Sequence, residues 1–132
     1  MQIVKPIDMD EALAAELAAR IPTASVHAAP APDNLGAGTI VVQTLGGTDQ
    51  SPVSDLFDVV VYCYAATYGA AMGMGAEVAA EIRGIQLEGP AVAGTEWTTT
   101  RANPPYEDPD PDRQTLRRAT VRATVAARGT AI

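Results

Sequence analysis

At 132 residues and a formal net charge of −7, the chain has single-domain size and the wrong sign for general nucleic-acid binding. One cysteine, Cys63, excludes an internal disulfide, and no apolar run approaches the roughly eighteen residues of a membrane span. The first residues, MQIVKPIDMDEALAAEL, carry acids where an export signal would carry bases and a long apolar core, so synthesis in the cytoplasm without export by the usual route is expected.

In chain order, residues 8–21 (DMDEALAAELAARI) predict a helix. Asp8 and Glu11 have capping-box spacing, Leu13, Leu17 and Ile21 form an apolar stripe, and Pro22 ends it. Residues 24–29 (ASVHAA) predict a short strand, and Pro30–Gly38 a turn or loop. Thr39–Leu45 (TIVVQTL) predicts a β-branched strand, followed by a second loop over Gly46–Ser54. Leu56–Ala65 (LFDVVVYCYA) gives the strongest strand. Phe57, Val59, Val61, Cys63 and Ala65 share one face, and Leu56, Asp58, Val60, Tyr62 and Tyr64 the other. Neither face is strongly polar, as in a central strand covered on both sides or one that keeps a face for a partner.

Residues 67–85 predict a second helix with Ala71, Met74, Val78, Ile82 and Ile85 on its apolar stripe. Gly73 and Gly75 lie inside it and either permit close packing or mark a later start. Glu96–Ala102 (EWTTTRA) predicts a strand. Asn103–Asp112 (NPPYEDPDPD), with four prolines and four acids, predicts a long exposed loop. Gln114–Arg128 predicts a closing strand with Ala119, Val121, Ala123, Val125 and Ala127 alternating against Arg118, Thr120, Arg122, Thr124, Ala126 and Arg128. The sum is one α+β domain over 1–132: a mostly antiparallel sheet of four to five strands with two helices packed on one face.

No residues assemble into a recognisable catalytic, cofactor or metal site, so a non-enzyme is expected. His27 is the single histidine and has no Ser/Asp spacing for a triad. Cys63 lies on an apolar strand face, as a core side chain does. Glu77 and Glu81 read as a solvated helix face, and the prolines between Asp108, Asp110 and Asp112 break calcium-loop spacing. Gly73-Met74-Gly75 lacks a dinucleotide fingerprint.

Charge segregation is the remaining signal. All sixteen acids precede residue 113, while the last twenty residues hold five arginines and no acid. Three readings stay open. Arg118, Arg122 and Arg128 form a solvated face paired across strands to acids such as Asp58; or they contact another copy, with Glu107, Asp108, Asp110 and Asp112 of the neighbour as mates; or they line a pore that nucleic acid passes loosely.

The layout resembles the tail terminator (tail completion) proteins of long-tailed bacteriophages. The resemblance rests on a short N-terminal helix, a strand LFDVVVYCYA running into AAMGMGAEVAAEIRGI, a Pro/Asp-rich loop, and a closing strand with Arg128-Gly129 near its end. It implies an α+β fold and a hexameric ring that caps the tail tube, stops its polymerisation and offers a surface for head attachment. Its implied partners are itself, the tail tube protein and a connector or head-closure protein. Genome DNA would pass through without specific binding, no membrane or cofactor would be involved, and the place would be the virion neck. The alternatives are another neck component (a head-closure or head–tail joining protein) and a small ligand-binding or regulatory α+β module, which a pocket at Tyr62, Tyr64 or Trp97 would favour.

Overall fold

The computed structural model describes residues 3–131; Met1, Gln2 and Ile132, included in the sequence reading of the domain, lie outside the described residues. The elements run β1 (Val4–Lys5), α1 (Met9–Arg20), β2 (Ser25–Ala28), β3 (Thr39–Ser51), β4 (Ser54–Ala65), α2 (Tyr68–Glu88), β5 (Trp97–Ala102), β6 (Tyr106–Glu107), β7 (Arg117–Arg128) and β8 (Thr130–Ala131). The class is α+β. The main sheet has the order β2-β3-β4-β7-β5, with β6 also paired to β7, while β1 and β8 form a separate antiparallel pair. The expected four to five antiparallel strands are therefore six in a mixed sheet: β2 and β3 are parallel, because the chain between them returns to the same end of the sheet before β3 begins.

Both helices pack on one face. Helix α1 starts as its capping spacing predicts: the Asp8 carboxylate accepts the Glu11 amide at 3.3 Å. It ends as the Ile21 amide donates to the Leu17 carbonyl. Leu13, Leu17 and Ile21 are fully buried, each stabilising the fold by roughly 1.5–3 kcal/mol. Helix α2 begins at Tyr68, with the Thr67 hydroxyl accepting from the Ala70 amide, so it does not wait for its glycines. Its buried residues Ala71, Val78, Ile82 and Ile85 meet Val59, Val61 and Cys63 of β4 and Ala119, Val121, Ala123, Val125 and Ala127 of β7 in a single core. The predicted alternation of both strands is observed, since these odd-numbered residues point to the helices.

A buried ion network, unread in the sequence, ties the helices together. Arg20 Nε donates to Glu16 Oε2 at 2.6 Å, its Nη1 to Glu81 Oε2 at 3.3 Å, and its Nη2 to the Gly89 carbonyl at 2.6 Å. Glu16 also accepts the Ala91 and Val92 amides, so no charge is buried without partners. Burial alone would lower the Arg20 pKa, but the hydrogen bonds and charges of Glu16 and Glu81 outweigh it and raise it. Glu81 is thus a partner of Arg20, and only Glu77 matches the expectation of a solvated face.

Two loop boundaries need correction. The expected loop over Gly46–Ser54 is mostly strand: β3 continues to Ser51 and turns tightly into β4. A bulge between Thr44 and Gly46 absorbs one residue, and pairing resumes with Gly46 opposite Asp58 and Gly47 opposite Phe57. Gly47 lies so close to the Leu56 carbonyl that a side chain there would collide with it. The expected exposed loop Asn103–Asp112 contains the two-residue edge strand β6 and a buried acid, Asp110. The closing strand begins at Arg117, not Gln114, because Thr115 and Leu116 complete a turn whose Leu116 amide donates to the Arg113 carbonyl.

Candidate interaction surface

The sheet face opposite the helices is formed by alternate residues of β3, β4, β7 and β5. Tyr64 pairs in register with Arg118, Tyr62 with Thr120, Val60 with Arg122, and Asp58 with Thr124. Arg101 of β5 lies opposite Thr124, one diagonal step from Arg122. This face has two halves with different fates.

At one end, the acidic loop folds back over the face and is held there by the chain's own arginines. Asp110 is 7% exposed and accepts from the Tyr64 hydroxyl at 2.9 Å, from Arg113 Nη1 at 3.1 Å and from the Asp112 amide at 3.0 Å. Arg118 lies over the Tyr62 ring at 4.5 Å, donates through Nε to the Asp108 carbonyl at 2.7 Å, and pairs with the Asp108 carboxylate at 3.2 Å. Thr120 donates its hydroxyl to the same carboxylate, and Arg117 pairs with Glu107 at 2.5 Å. Burial would raise the Asp110 pKa, but hydrogen bonds from Asp112, Tyr64 and Arg113 and the charge of Arg118 outweigh it and hold the carboxyl below the usual range. Burial would likewise lower the Arg118 pKa, yet Tyr64, Asp108 and Asp110 raise it. Burial raises the Tyr64 pKa and leaves the phenol protonated as a donor.

Within one chain, this geometry gives the acidic loop partners of its own. Glu107, Asp108 and Asp110 pair with Arg117, Arg118 and Arg113 of the same chain. Short sequence separation and the prolines, which stiffen the return, bring them together. Asp58 forms no ion pair among the described residues, so it is not the cross-strand partner expected for these arginines. Arg128 meets Glu96 at 3.8 Å, with both side chains largely exposed, a contact of little energetic weight. The Asp112 carboxylate is exposed, and only its backbone amide joins the network.

At the other end the face is open. A cleft of about 570 Å³ is lined by Arg101, Arg122, Asn103, Asp58, Thr124 and the bulged stretch Leu45–Thr48. Arg122 has only the Tyr106 hydroxyl, at 3.5 Å, and Arg101 has no hydrogen bond or ion pair among the described residues. The Tyr106 hydroxyl and neighbouring charges raise the Arg122 pKa. Arg101 was not singled out in the sequence because it precedes the acidic loop. Its register with Thr124, which sequence alone does not give, places it beside Arg122.

The other residues weighed for chemistry lie outside this cleft. Cys63 is fully buried, and burial pushes its thiol up to about 12. His27 lies 2.9 Å from the Ser25 hydroxyl. Tyr62 and Tyr64 lie beneath Arg118 and Arg113. Trp97 borders a surface depression with Ile85, Gln86, Pro90 and Thr95, and its indole N–H is buried without a partner.

A scan against protein-family models finds no match, and a search of curated proteins finds no relative. The fold and the surface together define an α+β domain with a one-sided helical layer and a partly uncovered, arginine-bearing sheet face.

Proposed function

We propose that the chain is a structural assembly protein of the phage tail terminator kind, which forms a ring, hexameric by resemblance, on the finished tail tube. In that role it blocks addition of further tube subunits and presents a surface to a connector or head-closure protein at the virion neck. DNA passes through the ring without specific contacts.

The observation that supports this reading most is the division of the sheet face. One half is closed by the chain's own loop; the other leaves two arginines unspent and next to a long, exposed hairpin. Surfaces of that composition suit contacts between protein subunits, where arginine grips carboxylates and its stem covers apolar area. The test is electron microscopy of particles assembled without this protein. Overlong tails are expected. Tails of normal length, detached from filled heads, would assign it to head–tail joining instead.

A further inference from the structure

The hairpin of β3 and β4 carries two aspartates, Asp49 and Asp55, directly opposite each other in the ladder. Like charges so placed repel, and neither forms an ion pair among the described residues. Asp55 lies two residues before Phe57, which packs on the core, and opposite Ala127, a core residue, so the aspartate pair faces the helix side of the sheet. Arg101 and Arg122 stand as a pair on the opposite side, in the open cleft. The fold thus holds an unpaired dicarboxylate and an unpaired diarginine on opposite faces of one sheet, where they cannot meet within one chain.

We infer that the Asp49–Asp55 hairpin of one copy docks into the Arg101–Arg122 cleft of the next. The occupant of the cleft is a second copy of this chain. Two guanidiniums side by side match two carboxylates side by side, and each pair removes the cost that the other bears alone. Asn103 and Thr124 border the cleft and supply neutral polar contacts, and half-exposed Leu45 adds apolar area beside it. Asp58 in the same cleft reduces its positive charge without cancelling it, since two cations face one anion. A contact between two different patches is head-to-tail, and it closes into a ring when the rotation allows. This inference rests on the self-assembly reading above and names the contact that carries it.

The test uses two charge-reversed variants of the full chain, Arg101→Glu/Arg122→Glu and Asp49→Lys/Asp55→Lys, followed by sedimentation, with melting curves to verify that each folds. Each variant alone places like charges in the contact, and its association should weaken by about a hundredfold or more. An equimolar mixture should assemble again, because every hairpin then meets a cleft of opposite sign. Assembly of the wild type that is indifferent to both reversals would overturn this contact and leave self-assembly standing. A wild type that stays monomeric would overturn both. Unchanged assembly, with a short DNA duplex retained by the wild type and lost by Arg101→Glu/Arg122→Glu, would give the cleft to nucleic acid and overturn the proposal.

Discussion

Asp110 is the residue on which the closed half of the sheet face depends. Its carboxylate holds Tyr64, Arg113 and the Asp112 amide, and Arg118 lies within 3.6 Å. Asp110→Asn keeps the shape but removes the charge, and should destabilise the fold by about 1–3 kcal/mol in a denaturant melt. The pH dependence has a definite sign. The folded carboxyl lies below its ordinary range, so its stabilisation is complete above the unfolded aspartate pKa of roughly 4 and is lost as pH falls through the lower folded value. Melting temperature measured from about pH 5 downward should fall less steeply in Asp110→Asn than in the wild type. An equally steep fall in the variant would show that other carboxylates set the acid limit. The sequence displayed these acids and arginines but not their pairing, because ion pairing depends on where a proline-rich return brings the loop, and periodicity is silent on that.

Among the elements, α2 shows how two similar residues separate once packing is known. Gly73 and Gly75 each carry the same helix penalty in the sequence. A Cβ at Gly73 meets nothing within 4 Å, whereas one at Gly75 would lie 2.6 Å from Pro105 Cβ. Gly73→Ala should therefore stabilise the protein by about 0.5–1 kcal/mol. Gly75→Ala should lose that gain and destabilise by roughly 1–3 kcal/mol, because the loop before β6 must shift. Thermal melts of the two variants should move in opposite directions; a shared direction would refute the packing role of Gly75. The same contrast explains what was legible at this scale. The helices, the central strand and the inward alternation of β7 follow from repeated apolar spacing and emerge as expected. The extended β3–β4 hairpin does not, because Gly46-Gly47 signals a break locally, whereas the pairing partner turns it into a bulge. The parallel β2–β3 pair depends on a return path that Pro30–Gly38 does not encode by pattern.

For the whole molecule, charge segregation along the chain was legible, and its spatial meaning was not. The arginines nearest the acidic loop are consumed internally, and those that line the open cleft, Arg101 and Arg122, come from different strands. Asp49 and Asp55 face each other across a hairpin whose first arm the sequence presented as a loop. On the proposed reading, function lies in contacts between copies, with the tail terminator role as its biological setting. Sedimentation of the wild-type protein across a wide concentration range, alone and with tail tube protein, tests that claim most directly. Ring formation predicts a mass that rises from the 13.7 kDa of one chain to a fixed plateau of a closed ring and falls again at high salt. A mass that stays at one chain under every condition would contradict it.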